Sequence, residues 1–183
     1  MIGGGEMAGN GSSVFVGAEK FGLYRRKAGE ERWESLTQGL PEKPEVQALA
    51  VHPSEPGVVF AGTQDGPYRS ADGGDTWERL GFPSPGLSVW SFLFYPSDPG
   101  RMLLGTAPAA VYRSEDGGDN WKATTMTPGP DVQEIGFDCR LIGLAVDPGQ
   151  TQDVYAAVEV GGVRRSSDGG ESWESINRGL APE

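Results

Sequence analysis

The residues of this chain best suited to chemistry are carboxylates that return at fixed intervals. Asp72, Asp116 and Asp168 each stand two places after a serine (Ser70, Ser114, Ser166) and directly before two glycines, in SADGGDTW, SEDGGDNW and SSDGGESW. Acids on a repeated scaffold can ligate a metal, move a proton or cap a turn. The turn is the cheapest of these. An Asp side chain accepts hydrogen bonds from N–H groups just ahead of it, and the glycines allow a positive φ that a Cβ would oppose. A second set, Glu19, Asp65 and Glu159, holds matching places in EKFG, QDGP and EVGG. Cleaving a glycosidic bond takes two carboxylates about 5–5.5 Å or 6.5–9.5 Å apart, so these three are the candidate catalytic groups. Other chemistries lack parts. His52 is a lone histidine in a turn, Cys139 has no disulfide partner, and neither zinc-ligand spacing nor a phosphate-binding loop occurs. No cofactor and no metal are expected.

The elements that must carry these groups are legible from the same octets. Each ends in a tryptophan (Trp77, Trp121, Trp173), and a worn copy, RKAGEERW, ends in Trp33, with Arg26 for the serine and Ala28 for the aspartate. The tryptophans are separated by 44, 44 and 52 residues. A period of this length marks a repeat architecture. Around each octet lie strand-length runs bounded by Gly, Pro, Asp and Ser. One cycle reads VQALAVHP, VVFAGTQ, PYRSAD and TWERL, which we label strands A to D; the next two follow suit from SVWSFLFYP and RLIGLAVDP. Strand A is apolar. Strand B carries a small residue at one matched place (Gly17, Gly62, Gly105, Ala157), where neighbouring sheets approach closely. The tryptophan opens strand D and packs between sheets.

Four-stranded antiparallel sheets repeated about an axis make an all-β propeller. The blades span approximately 12–36, 46–80, 88–125 and 139–176 within one domain, 12–180, after a loose, glycine-rich 1–11. The first cycle begins at its strand B, which leaves fifteen strands, one short of four full blades. The chain is therefore expected either to close imperfectly or to belong to a larger ring. Exposed end sheets invite pairing, so a homo-oligomer that completes the propeller is a candidate state.

The octets resemble the Asp-box, or BNR, repeat of sialidases, xyloglucan-cleaving glycoside hydrolases, sortilin-type receptors and photosystem II assembly propellers. The resemblance covers about Ser12 to Leu180. It implies a propeller, and it implies that the box lies on the face opposite the usual ligand site. Ser70, Asp72, Gly74 and Trp77, with Ser114, Asp116, Gly118 and Trp121 and with Ser166, Asp168, Gly170 and Trp173, are then structural. Sialidase action is disfavoured, because the arginine trio with its Arg-Ile-Pro lead is missing.

Function is expected on the other face, where the B–C and D–A loops collect. The loop 124–140 holds the eight residues that lengthen the last interval, with acids Asp131, Glu134 and Asp138. Gln47, Trp90 and Arg140, near the starts of strands A, point to the channel mouth; with Asp138 they are the candidate ligand-binding residues. A net charge of −11 disfavours nucleic acid and anionic membrane surfaces. The N-terminus lacks a secretory pattern and no stretch reaches the ~18 apolar residues of a span, so a cytoplasmic location is expected. The favoured reading is a non-catalytic scaffold that binds a protein or glycan. The alternatives are a glycoside hydrolase of the same propeller class and a fragment that assembles into a larger propeller.

Overall fold

The structure is a computed structural model that describes residues 12–18, 20–126 and 138–180. Among these residues there is no helix; fifteen strands form four antiparallel sheets. Sheet 1 comprises β1 (Ser13–Ala18), β2 (Gly22–Lys27) and β3 (Glu34–Leu36). Sheet 2 comprises β4 (Val46–Val51), β5 (Val59–Thr63), β6 (Gly66–Ser70) and β7 (Glu78–Arg79). Sheet 3 comprises β8 (Ser88–Tyr95), β9 (Asp98–Ala107), β10 (Val111–Ser114) and β11 (Lys122–Ala123). Sheet 4 comprises β12 (Leu141–Val146), β13 (Val154–Val158), β14 (Gly162–Ser166) and β15 (Glu174–Ser175). Each is a meander in chain order, and each packs on the next, as in a partial β-propeller.

Three apolar clusters fill the spaces between consecutive sheets. Leu23 and Leu36 of sheet 1 meet Val59, Tyr68 and Trp77 of sheet 2. Phe60 and Leu80 meet Leu104, Tyr112 and Trp121. Leu103 and Val111 meet Leu141, Val154 and Ala156, with Trp173 packed beside them. The small residue of the second strand sets the spacing. A Cβ built on Gly17 would lie 2.5 Å from Val46 Cγ1, and one on Gly62 would lie 2.6 Å from the Val89 carbonyl oxygen. On Gly105 it would meet Leu141 Cδ2 at 2.4 Å. Only glycine lets the first strand of the next sheet come so near.

Two details differ from the sequence reading. The fourth strands are shorter: each tryptophan precedes its strand, and Trp77 N–H donates instead to the Gln38 carbonyl of sheet 1's following turn. The hairpin read as YPSDPG is tight, with Tyr95 paired directly to Asp98, so β9 runs through half of the expected turn.

The octet turns join the first hairpins of their own sheets. Gly73 N–H donates to the Gly57 carbonyl, Gly117 N–H to Gly100 and Gly169 N–H to Gln152. The A–B and C–D turns therefore share one face, and the B–C turns lie on the other.

Candidate functional site

The first strand of sheets 2, 3 and 4 carries a register irregularity near its start. Pairing skips from Val46 to Ala48, from Val89 to Ser91 and from Leu141 to Gly143. The extra residues are Gln47, Trp90 and Ile142. A bulge re-aims its side chain out of the alternating pattern and recurs beside functional sites. Here it turns Gln47 and Trp90 into a shared pocket of about 290 Å³, lined by Glu45, Val46, Gln47, Trp90 and Arg140.

Three of the four residues singled out for ligand binding from sequence thus meet in one place. The fourth, Asp138, is exposed two residues before Arg140 and is not part of the lining. By register the counterpart of Gln47 and Trp90 is Ile142, which is 53% exposed; Arg140 stands one place before the strand, level with Glu45. Glu45 was not legible as a site residue. Its backbone N–H donates to Gln64 Oε1 at 2.8 Å, while Gln64 Nε2 donates to the Lys43 carbonyl at 3.1 Å. One amide of the second B–C turn thereby fixes the approach to the pocket.

Arg140 is central to its electrostatics. The guanidinium lies 4.3 Å from the centroid of the Trp90 ring, a cation–π stack, and its Nε is 3.5 Å from Glu159 Oε2. Glu159 N–H also donates to the Arg140 carbonyl at 2.8 Å, so main chain and side chain are tied together. Gln47 Oε1 and Trp90 Nε1 are buried without a hydrogen-bond partner. Native proteins rarely leave such groups unmet, and each one calls for an explanation.

The other candidate acids fall elsewhere. Asp65 is held in its turn by main-chain bonds: its N–H donates to Thr63 Oγ1, and Arg79 Nη2 donates to its carbonyl at 2.7 Å. Its side chain is not in the pocket lining. Glu19, Asp131 and Glu134 lie outside the described residues. His52 caps its turn, with Nδ1 accepting from Glu55 N–H at 3.1 Å, and Asp147 Oδ1 does the same for Gly149 at 2.7 Å.

The octets form closed local networks. Ser70 Oγ donates to Asp72 Oδ1 at 2.8 Å and accepts from Gly74 N–H at 2.7 Å; Asp72 also accepts from Thr76 N–H at 2.9 Å and the Thr76 hydroxyl at 2.6 Å. Ser114–Asp116–Asn120 and Ser166–Asp168–Ser172 repeat the pattern. The Thr76 hydroxyl, with the Thr76 and Ser70 donors, holds the Asp72 carboxyl down to about 2. Burial works to raise Asp168, yet the Ser172 and Ser166 hydroxyls and backbone donors bring it to about 2. Asp116 is lowered chiefly by the Asn120 amide. Trp77 Nε1 donates to the Gly74 carbonyl at 3.0 Å, which closes the turn onto the sheet. Each aspartate serves its own turn. Among the described residues, no three His, Cys, Asp or Glu side chains gather to hold a metal.

A buried arginine escaped the sequence reading. Arg164 is 2% exposed, and neither Nη1 nor Nη2 has a hydrogen-bond partner. Register places it where the other sheets carry Tyr24, Tyr68 and Tyr112.

No family model and no curated protein sequence matches the chain. Solved propellers do match its fold. An ancestral GH74 enzyme superposes with a TM-score of 0.75 at 22% identity, over 90% of this chain and 22% of that one. The GH74 xyloglucanase from Xanthomonas campestris gives 0.66 at 18%, over 89% and 28%. YCF48 from Cyanidioschyzon merolae gives 0.56 at 20%, over 76% and 39%. At these identities the likeness is one of fold, and the chain spans about a quarter of the two GH74 proteins.

Proposed function

We propose that this propeller segment binds an uncharged oligosaccharide at the mouth formed by Gln47, Trp90 and Arg140, without cleaving it. The observation that carries the reading is the pair of bulges that put an unpartnered amide oxygen and an unpartnered indole N–H beside one stacked guanidinium. A sugar offers both hydroxyl donors and acceptors, together with an apolar ring face that suits an aromatic wall. The charges are mixed, with Glu45 and Glu159 around Arg140, so the pocket has no bias towards sulfate or phosphate. A peptide is the competing ligand. Hydrolysis is the competing activity, with Glu159 as its acid or nucleophile, and the GH74 neighbours favour that alternative by fold alone.

The test is calorimetric titration of β-glucan and xyloglucan oligosaccharides, with reducing-end release followed in parallel. Trp90→Ala is expected to weaken binding tenfold or more, equivalent to about 1.4 kcal/mol, with no reducing ends released. Binding untouched by Trp90→Ala and Gln47→Ala would remove the site. Turnover abolished by Glu159→Gln would replace the scaffold reading with a hydrolase.

A further inference from the structure

Each sheet grips its successor with the same set of parts. Arg25 of β2 donates from Nη1 to the Gly73 carbonyl at 2.5 Å and from Nη2 to Asp75 at 2.6 Å. Arg69 repeats this on Gly117 and Asp119, and Arg113 reaches Glu171 at 2.7 Å. Trp77 is 5% exposed because it is wedged against Leu23 and Leu36 of the sheet before it. The turn 37–40 completes the grip: the Gln38 carbonyl accepts Trp77 N–H at 2.9 Å, and Leu40 joins the same core.

Sheet 4 carries the gripping half on its outward side. Arg165 pairs with Tyr155 as Arg25 pairs with Phe15, and its bonds go to Asp153 and Glu174 of its own sheet. The segment ESINRGL at 174–180 repeats ESLTQGL at 34–40. Gly179 has φ +85° and Gly39 φ +87°, so the two turns have the same shape. Yet Leu180 is 63% exposed and Ile176 39%, where Leu40 and Leu36 are packed.

Sheet 1 carries the gripped half. Trp33 is 44% exposed, and a hollow of about 320 Å³ runs between it and Val16, Phe21 and Tyr24. Glu30 and Glu31 lie in the turn where sheet 2 presents Asp75. Ala157 agrees with this match. It is the one second-strand position that holds a methyl instead of glycine, and among the described residues sheet 1 presents β1, not an equivalent of β4, β8 or β12, at that edge.

We propose that two copies of this chain associate head to tail, sheet 4 of each docking on sheet 1 of the other, to close a ring of eight sheets. Eight lies within the usual four to eight blades of a propeller. Arg165 keeps Glu174, as Arg25 keeps Glu34 and Arg69 keeps Glu78 while they grip the next sheet, and exchanges Asp153 for the Glu30 and Glu31 carboxylates of the second copy; Ile176 and Val163 cover Trp33, and the 177–180 turn receives the Trp33 backbone N–H. The two faces differ, so the contact is heterologous and closes only by rotation about a ring axis. The same association would bring two ligand mouths around one channel.

Light scattering on the full chain tests this. The expected mass is twice 19.4 kDa. Arg165→Glu and Trp33→Glu should each give monomers with unchanged circular dichroism. A mixture of the two variants should recover a dimer, because one intact pair of faces remains between them. The exchange Arg165→Glu with Glu31→Arg in one chain should restore the parent mass. A parent that stays at 19.4 kDa with rising concentration overturns the proposal. So does a dimer that survives both single changes, or a mixture that stays monomeric.

Discussion

Replacing Gly62 with alanine isolates the term that sets the distance between blades. The new Cβ would sit 2.6 Å from the Val89 carbonyl oxygen, 2.8 Å from Val89 Cγ1 and 3.0 Å from Val89 Cβ. Rotating a side chain does not relieve this, because the nearest atom is main chain and Val89 is itself fully buried. Sheets 2 and 3 must move apart, which loosens the Phe60, Leu104 and Trp121 cluster. Overpacking of this kind costs about 1–3 kcal/mol. For a chain of this size, a loss near 2 kcal/mol lowers Tm by about 4–8 °C. Gly57→Ala is the control, since its Cβ would meet only the Ala71 carbonyl at 3.8 Å; it should be neutral, or stabilising by about 0.4–1 kcal/mol. Urea midpoints of the two variants and the parent, read by fluorescence at constant m value, decide the matter. A Gly62→Ala midpoint indistinguishable from that of Gly57→Ala would refute the close-approach account of the spacing.

The octet aspartates should make stability depend on acid. Asp72 falls from the ordinary 3.8 to about 2 on folding, so its contribution is present above about 3.8 and is lost as pH falls through about 2. The carboxylate is exposed to solvent, so the contribution at neutral pH is discounted to about 0.5–1 kcal/mol. Asp72→Asn should therefore lower the urea midpoint at pH 7 and converge with the parent near pH 2; a gap independent of pH would contradict the mechanism. Arg164→Tyr, which installs the residue of the other three sheets, should stabilise by about 1–3 kcal/mol by removing a buried guanidinium whose two terminal nitrogens lack partners. Thermal unfolding measures it, and a loss of stability would contradict the reading of Arg164 as a buried, unpaired charge.

The octets were legible because their bonds are local. Ser70, Asp72, Gly74, Thr76 and Trp77 satisfy one another within a single turn, so residue type and spacing suffice to specify it. Fifteen strands and their meander order followed from the same punctuation. Tertiary structure alone decided the rest. Gln47, Trp90 and Arg140 were expected near the channel mouth from their places at the starts of strands A, but the equivalent bulges that turn Gln47 and Trp90 into one pocket are a property of pairing between strands that no single strand reveals. Arg25 reads in sequence as one more strand arginine; only the stacking of sheets brings it to Gly73 and Asp75. Turn chemistry acts over four residues and is written in them. The shape of the mouth, with Glu45 in its wall, and the grips between sheets depend on partners distant along the chain, so register and stacking had to be known first.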